Sequence, residues 1–196
     1  MENKIFLIIL LLAYCTLVEC MFPLIKKTYD IEKFFLTKSF IWTYNTTRGG
    51  ARTCQVDKVT HMNDTTIMFK RYFYNILRRK TFIPLEGTIY FDKKNLMIVR
   101  APGYKYKEKL VFYDPHFKCA VIKITTPFTG GVVTYDLRVW NAYAKLGPAF
   151  DCVKKFSNKE PHGRVIYTPK CHDILEGMQL SQLPQLPQEK VNGQRG

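Results

Sequence analysis

Acidic residues are scarce in this 196-residue chain: 16 Asp and Glu stand against 30 Lys and Arg, for a formal net charge of +14. A balance of this sign invites nucleic acid or an anionic surface as partner, so the choice between them falls to compartment. No Cys-x-x-Cys pair and no cysteine–histidine cluster at zinc spacing occurs, which argues against a structural metal. His61, His116, His162 and His172 are scattered, and the chain lacks Gly-x-Ser-x-Gly, P-loop and Gly-x-Gly-x-x-Gly patterns. With no catalytic constellation, neither an enzyme nor a cofactor is expected. Beyond the first twenty residues no apolar run approaches the roughly 20 residues of a membrane-spanning helix. Aromatic residues (14%) and hydrophobic ones (46%) are plentiful, which excludes a collagen-like or wholly disordered chain. One domain fits the length.

The start of the chain is of a different kind. Lys4 precedes an apolar stretch over residues 5–15, and a small set of residues leads to a cleavage position after Cys20. That pattern predicts a secretory signal peptide over 1–20. Cleavage removes Lys4, Glu2 and Glu19 and leaves +15. It also leaves four cysteines, Cys54, Cys119, Cys152 and Cys171, which in an oxidising compartment suggest two disulfides with three connectivities open. Two sequons, Asn45-Thr46-Thr47 and Asn63-Asp64-Thr65, fit glycosylation on the same route. Secretion removes nucleic acid from the list of partners, and the charge needs an extracellular explanation.

Most of the remaining chain reads as short strands between turns. The runs lie at 40–45, 65–74, 87–91, 96–100, 109–113, 119–125, 132–140 and 164–168, with turn signals such as Pro102-Gly103, Asp114-Pro115 and Gly130-Gly131 between them. Eight strands at this spacing predict an antiparallel barrel or sandwich. Residues 29–35 read as a short helix. In 148–156, Ala149, Cys152, Val153 and Phe156 recur at i, i+3, i+4 and i+7, one apolar helical stripe. The folded domain is expected over 21–176, and the polar, proline-spaced 177–196 reads as a disordered tail.

Several short motifs in order carry a family resemblance over about residues 28–172. They are Asp30-Ile31-Glu32, Thr53-Cys54, the CAVI run at 119–122, the YDLRVW run at 135–140, helical Cys152 and Phe156, and the closing YTPKC at 167–171. The chain resembles the tick salivary lipocalins, the group that includes the histamine-binding proteins. The resemblance implies an eight-stranded antiparallel lipocalin barrel with a short N-terminal helix and a second helix on its side. It further implies the pairings Cys54–Cys171 and Cys119–Cys152. The general lipocalin Gly-x-Trp is replaced by Phe40-Ile41-Trp42.

Such a barrel encloses room for one small ligand. The family's amine-binding pattern runs Cys-Asp-aliphatic, then Glu-Leu-aromatic, then Cys. Here Ala120 stands where the first acid belongs, and Asp136-Leu137-Arg138 replaces the second motif. A buried ammonium needs a carboxylate, because an unpaired buried charge is expensive. Ala120, Ile122 and Ile124 share one strand face, and Asp136 and Arg138 share another. Arg138 either neutralises Asp136 or meets an anionic ligand. An amphipathic anion, a fatty acid or leukotriene, is therefore preferred, with Phe40, Trp42, Tyr44, Ala120, Ile122 and Ile124 around its body. The alternative is histamine or serotonin held by Asp136, and the bland reading of the same residues is a structural pair in a plain core. A third class is a protein-surface inhibitor of a host complement or haemostatic component.

Lys70-Arg71, Arg78-Arg79-Lys80, Lys93-Lys94, Lys105/Lys107/Lys109 and Lys154-Lys155 are read as a solvated basic surface, with affinity for glycosaminoglycan or anionic membrane as the sharper possibility. Taken together, the expectation is a secreted salivary protein, not an enzyme, that sequesters a host small-molecule mediator.

Overall fold

The computed structural model describes residues 28–127 and 131–178. The expected signal peptide and residues 179–196 of the expected tail lie outside the described residues. The described chain opens with helix α1 (Ile31–Phe35), whose N-terminus is capped by Asp30 accepting the Glu32 N–H at 3.0 Å. Ile31, Phe34 and Phe35 are all fully buried, so this short helix exists to deliver apolar side chains rather than to stand alone.

Eight strands follow: β1 (Ile41–Thr46), β2 (Thr53–Met62), β3 (Thr66–Tyr74), β4 (Lys80–Tyr90), β5 (Lys93–Ala101), β6 (Tyr104–Asp114), β7 (Cys119–Thr125) and β8 (Val133–Trp140). Each pairs antiparallel with the next, β8 pairs with β1, and β1 meets β2 to close the ring. Hairpin turns of few residues suffice because neighbours in sequence are neighbours in space. Gly103, at φ +82°, supplies the left-handed residue of the β5–β6 turn.

The expected barrel is present, with one strand differently assigned. Its eighth member is β2, not 164–168; of that run only Arg164–Val165 forms a strand, β9, which pairs with Asn45 and Thr46 on the outside of the ring. β2 escapes a hydrophobicity reading because its inward positions Gln55 and Asp57 are polar.

Both helices expected from the sequence form. After β8 come a four-residue helix α2 (Asn141–Ala144) and then α3 (Phe150–Ser157). α3 lies against β6, β7 and β8, burying Cys152 and Phe156 beside Val121, Leu137 and Val139; Val153 stays 38% exposed. A 3₁₀ segment, Pro169–Leu175, covers β1 and β2 from outside. Disulfides Cys119–Cys152 and Cys54–Cys171 fasten these two outer layers, in the pairing the family resemblance implied. They close 33 and 117 residues of chain, which on a chain-entropy model contributes about 4–5 kcal/mol each.

Candidate functional site

Strand alternation decides what the barrel encloses. On β7, Ala120, Ile122 and Ile124 face inward, opposite Arg138, Asp136 and Thr134 of β8. The sequence put Ala120, Ile122 and Ile124 on one shared face and Asp136 and Arg138 on another, and the structure turns both faces inward and brings the five together. Phe40, Trp42 and Tyr44 do not join them. They lie on the outer face of β1, where Trp42 and Tyr44 meet the Tyr167 ring at 5.1 and 5.2 Å, and Trp42 Nε1 donates to Asn141 Oδ1 at 2.7 Å. The cause is the C-terminal segment covering that face, so both sides of β1 are buried and an aromatic stripe no longer marks the inside. Ile41, Thr43 and Thr46 are the inward residues.

Inside, the two ends differ. The end closed by α1 is apolar, with Phe34, Phe35, Ile67, Phe69, Met97 and Leu110 in one cluster. Trp140 Nε1 donates to the Phe34 carbonyl at 3.0 Å and fixes the helix in place. On β4, Gly87 leaves the room that Met97 fills; a Cβ there would stand 2.7 Å from the Met97 sulfur.

Toward the other end a chain of charged side chains crosses the interior. Arg71 donates from Nε and Nη2 to Asp57 at 2.7 and 2.8 Å, and from Nη2 to Glu108 at 3.3 Å. Arg138 donates to both Glu108 oxygens at 2.8 and 2.7 Å, and to Asp136 Oδ2 at 3.0 Å from Nη2. Thr46 donates to the second Asp136 oxygen at 2.7 Å, and the Tyr106 hydroxyl accepts from Arg71 at 3.2 Å. All five charged residues are buried. Burial alone would raise the Glu108 carboxyl, but the Arg138 and Arg71 guanidiniums override it and hold it at about 2. Burial also works against the charge on Arg138, yet Glu108, with Asp136 and Asp57, keeps that guanidinium above its ordinary value. Burial pushes the Tyr106 phenol up, against the pull of Arg71.

Two guanidiniums against three carboxylates leave one negative charge in surplus, in a medium where bidentate geometry is what makes such pairs tolerable. Arg138 is thus engaged on both sides, by Glu108 and by Asp136, and its donors face protein carboxylates rather than open space.

The open end of the barrel carries a cleft of about 270 Å³. Thr46, Gln55, Tyr104 and Asp136 line it together with Arg48, Arg52 and Arg164. Arg52 lies 4.3 Å from the centre of the Phe73 ring, and Arg164 donates to the Gly50 and Arg52 carbonyls. Among the described residues none of these three arginines forms an ion pair with a carboxylate. The rim is therefore cationic, with Asp136 on the cleft wall already bonded to Arg138 and Thr46.

Asp57, Arg71, Tyr106 and Glu108 were missed in the sequence. Arg71 was grouped with exposed Lys70 as surface, yet it falls in phase with Ile67, Phe69 and Phe73, the buried positions of β3. Glu108 sits among lysines but in phase with Tyr104, Tyr106 and Leu110. That two-residue phase was the available signal. Of the sequons, Asn63 lies on the exposed β2–β3 turn, whereas Asn45 lies within β1 with its side-chain oxygen buried and without a hydrogen-bond partner among the described residues. Groups of three or more His, Cys, Asp or Glu arranged to hold a metal are absent among the described residues.

No protein-family model matches the sequence, and no curated protein does. Solved structures do match in shape. Japanin from Rhipicephalus appendiculatus, a tick salivary lipocalin seen bound to cholesterol, aligns at a TM-score of 0.54 and 11% identity, covering 69% of this chain and 97% of Japanin. The siderocalin Ex-FABP aligns at 0.51 and 7% identity, over 67% of this chain and 95% of its own. Apocrustacyanin C2 aligns at 0.50 and 7% identity, over 66% and 70%. A closed eight-stranded antiparallel ring, an N-terminal helix at one end and a helix packed beside it give this chain the lipocalin fold, in the company of a tick salivary lipocalin.

Proposed function

We propose that this protein is a secreted carrier, not an enzyme, that sequesters a small amphipathic anion of the fatty-acid or leukotriene kind, acting on a host mediator at a site of saliva delivery. The observation that carries the reading is the cleft at the open end, with three arginines around it that form no ion pair with a carboxylate among the described residues, the one carboxylate on its wall, Asp136, being bonded to Arg138. A structural neighbour that holds cholesterol lends the carrier role support by analogy, and two disulfides suit an oxidising, extracellular setting.

The anionic group is assigned to Arg48 and Arg52, because Arg138 is already bonded to Glu108 and Asp136. A volume of about 270 Å³ falls near the lower edge of ordinary ligand pockets, about 300–1,000 Å³. It suits a compact anion or the head end of a longer one. The rim arginines also raise the local concentration of anions before contact.

One observation favours an amine instead: Asp136 lies on the cleft wall, in a charge cluster with one carboxylate in surplus. Calorimetric titration with histamine, serotonin, a leukotriene and arachidonate separates the two. Heat from an anion, weakened by about 1–2 kcal/mol in Arg48→Ala as a partly exposed charge-assisted bond is lost, is the expected result. Tight amine binding that disappears in Asp136→Asn, with no heat from either lipid, would overturn it. If none of the four binds, the carrier reading gives way to a surface inhibitor, which a pull-down from host serum would test.

A further inference from the structure

The β3–β4 turn at the open end of the barrel displays two large aliphatic side chains to solvent. Ile76 is 78% exposed and Leu77 67% exposed, and nothing in the barrel's own packing calls for them there. The turn holds them in place. Asn75 Oδ1 accepts the N–H groups of Leu77 and Arg79 at 2.9 and 3.0 Å, the Asn75 carbonyl accepts the Arg78 N–H, and the Arg79 carbonyl accepts the Asn75 N–H. Arg78 adopts φ +54°, a left-handed conformation that an L-residue takes only where its surroundings fix it. Arg78, Arg79 and Lys80 follow directly, all exposed.

Beside this tip runs a groove of about 570 Å³, open to solvent, between the turn and the C-terminal segment. Arg78 and Lys170 stand on it with the hydroxyl-bearing Thr53, Tyr74 and Thr168, and no carboxylate is among its lining residues. Val165, 57% exposed, continues the apolar edge. Two protruding aliphatic residues next to a cationic, hydroxyl-lined slot match the cross-section of an anionic phospholipid bilayer: phosphate and carboxylate groups at the slot's depth, acyl chains beyond it. A sulfated polysaccharide would meet the cations but offers nothing to Ile76 and Leu77. At the opposite end Phe91, 98% exposed, also stands beside two lysines, Lys93 and Lys94, but there Asp92 lies 3.8 Å from the Lys93 ammonium and offsets its charge.

We propose that the Ile76–Lys80 turn and the Arg78/Lys170 groove form a docking surface for anionic phospholipid membranes, presenting the open end of the barrel to the lipid surface. The proposal stands apart from the identity of the barrel's ligand. Arg78, Arg79 and Lys170 supply the attraction, since Lys80 is tied to the Glu176 carbonyl at 3.0 Å. Ile76 and Leu77 supply the apolar insertion that converts attraction into residence.

Co-sedimentation of the full secreted chain with vesicles of phosphatidylcholine alone, and of phosphatidylcholine with phosphatidylserine, tests it. Binding is expected only to the second, and Leu77→Trp should shift its fluorescence to the blue on those vesicles alone. The double variant Ile76→Ser/Leu77→Ser should lower the partition coefficient by about tenfold or more, from the apolar area withdrawn. Arg78→Gln/Arg79→Gln should lower it on the order of tenfold, from two juxtamembrane charges lost. Lys93→Gln/Lys94→Gln, beside Phe91 at the other end, should leave it within about twofold by the same electrostatics once salt screens distant charge. These residues are exposed and lie on turns or at a strand end, so circular dichroism should read the same for all variants. Equal loss in the Lys93/Lys94 and Arg78/Arg79 variants, or binding that survives Ile76→Ser/Leu77→Ser, would overturn the proposal in favour of general adsorption by a basic protein. Retention on heparin without vesicle binding would overturn it in favour of a polysaccharide partner.

Discussion

The two halves of the barrel interior solve the problem of filling a closed ring in opposite ways. At the α1 end the filling is Phe34, Phe35, Ile67, Phe69 and Met97, apolar and tolerant of modest changes in shape. Toward the open end it is Asp57, Arg71, Glu108, Arg138 and Asp136, each tied to at least one partner in a fixed geometry. The apolar half draws its stability from area removed from water, about 25 cal/mol per Å². The ionic half gains little net energy from being buried, because desolvation offsets most of the attraction. What it adds is position: guanidinium planes must meet carboxylates from β2, β6 and β8, so strands distant in sequence are held in one register.

The difference is open to direct attack. Glu108 is bonded by both arginines, so Glu108→Gln leaves two buried cations short of a partner and should cost about 3–5 kcal/mol. Phe34→Ala at the other end should cost a similar amount, about 3–5 kcal/mol, by leaving a cavity. Denaturant titration measures both, and the comparison fails if Glu108→Gln costs under about 1 kcal/mol, the value of an exposed pair.

The two variants part company in acid. The Glu108 carboxyl is held at about 2, below its ordinary 4.5, so the folded state binds its proton less readily than the unfolded chain does. Its contribution is full above pH 4.5 and is lost as pH falls from there toward 2, on the order of 3 kcal/mol in all. Phe34→Ala should keep that acid loss; Glu108→Gln should show a flatter curve over the same window. A smaller effect sharpens the apolar side. Trp140→Phe removes the bond to the Phe34 carbonyl and should cost about 1–2 kcal/mol, with the acid profile unchanged.

The apolar half and the frame around it were largely legible in the sequence. Period-two runs gave seven of the eight ring strands, the stripe through Cys152 and Phe156 gave α3, and the resemblance supplied the disulfide pairing. Ala120, Ile122 and Ile124 were put on one shared face, and Asp136 and Arg138 on another, because strand alternation is local and exact in period; alternation alone does not say which face is inward. The rest of the ionic half, Asp57, Arg71 and Glu108, was hidden by composition. In a chain with 30 Lys and Arg, Arg71 beside Lys70 looks like surface, and Glu108 between Lys107 and Lys109 looks like charge balance. Only the ring, which brings β2, β3 and β6 together in space, turns them into one group. Phe40, Trp42 and Tyr44 misled for the opposite reason: their apolar character was real, but it serves the outer layer formed by Tyr167 and Cys171.

That outer layer bears on how the ring opens. β1 and β2 meet only at Ile41 with Asp57 and Trp42 with Val56, which makes this junction the shortest of the ring. Past it, residues 164–175 act as a strap: Ile166 donates to the Tyr44 carbonyl and accepts from the Cys54 N–H, both at 2.9 Å, and Cys54 is bonded to Cys171. The strap makes the stability of the junction redox-dependent. In hydrogen–deuterium exchange, reducing the protein should deprotect the amides of Cys54 and Ile166 well before those of β3 to β7, which keep long ladders on both sides. The segment 164–175 is then the clasp of the barrel, and under reducing conditions the barrel would fasten less firmly.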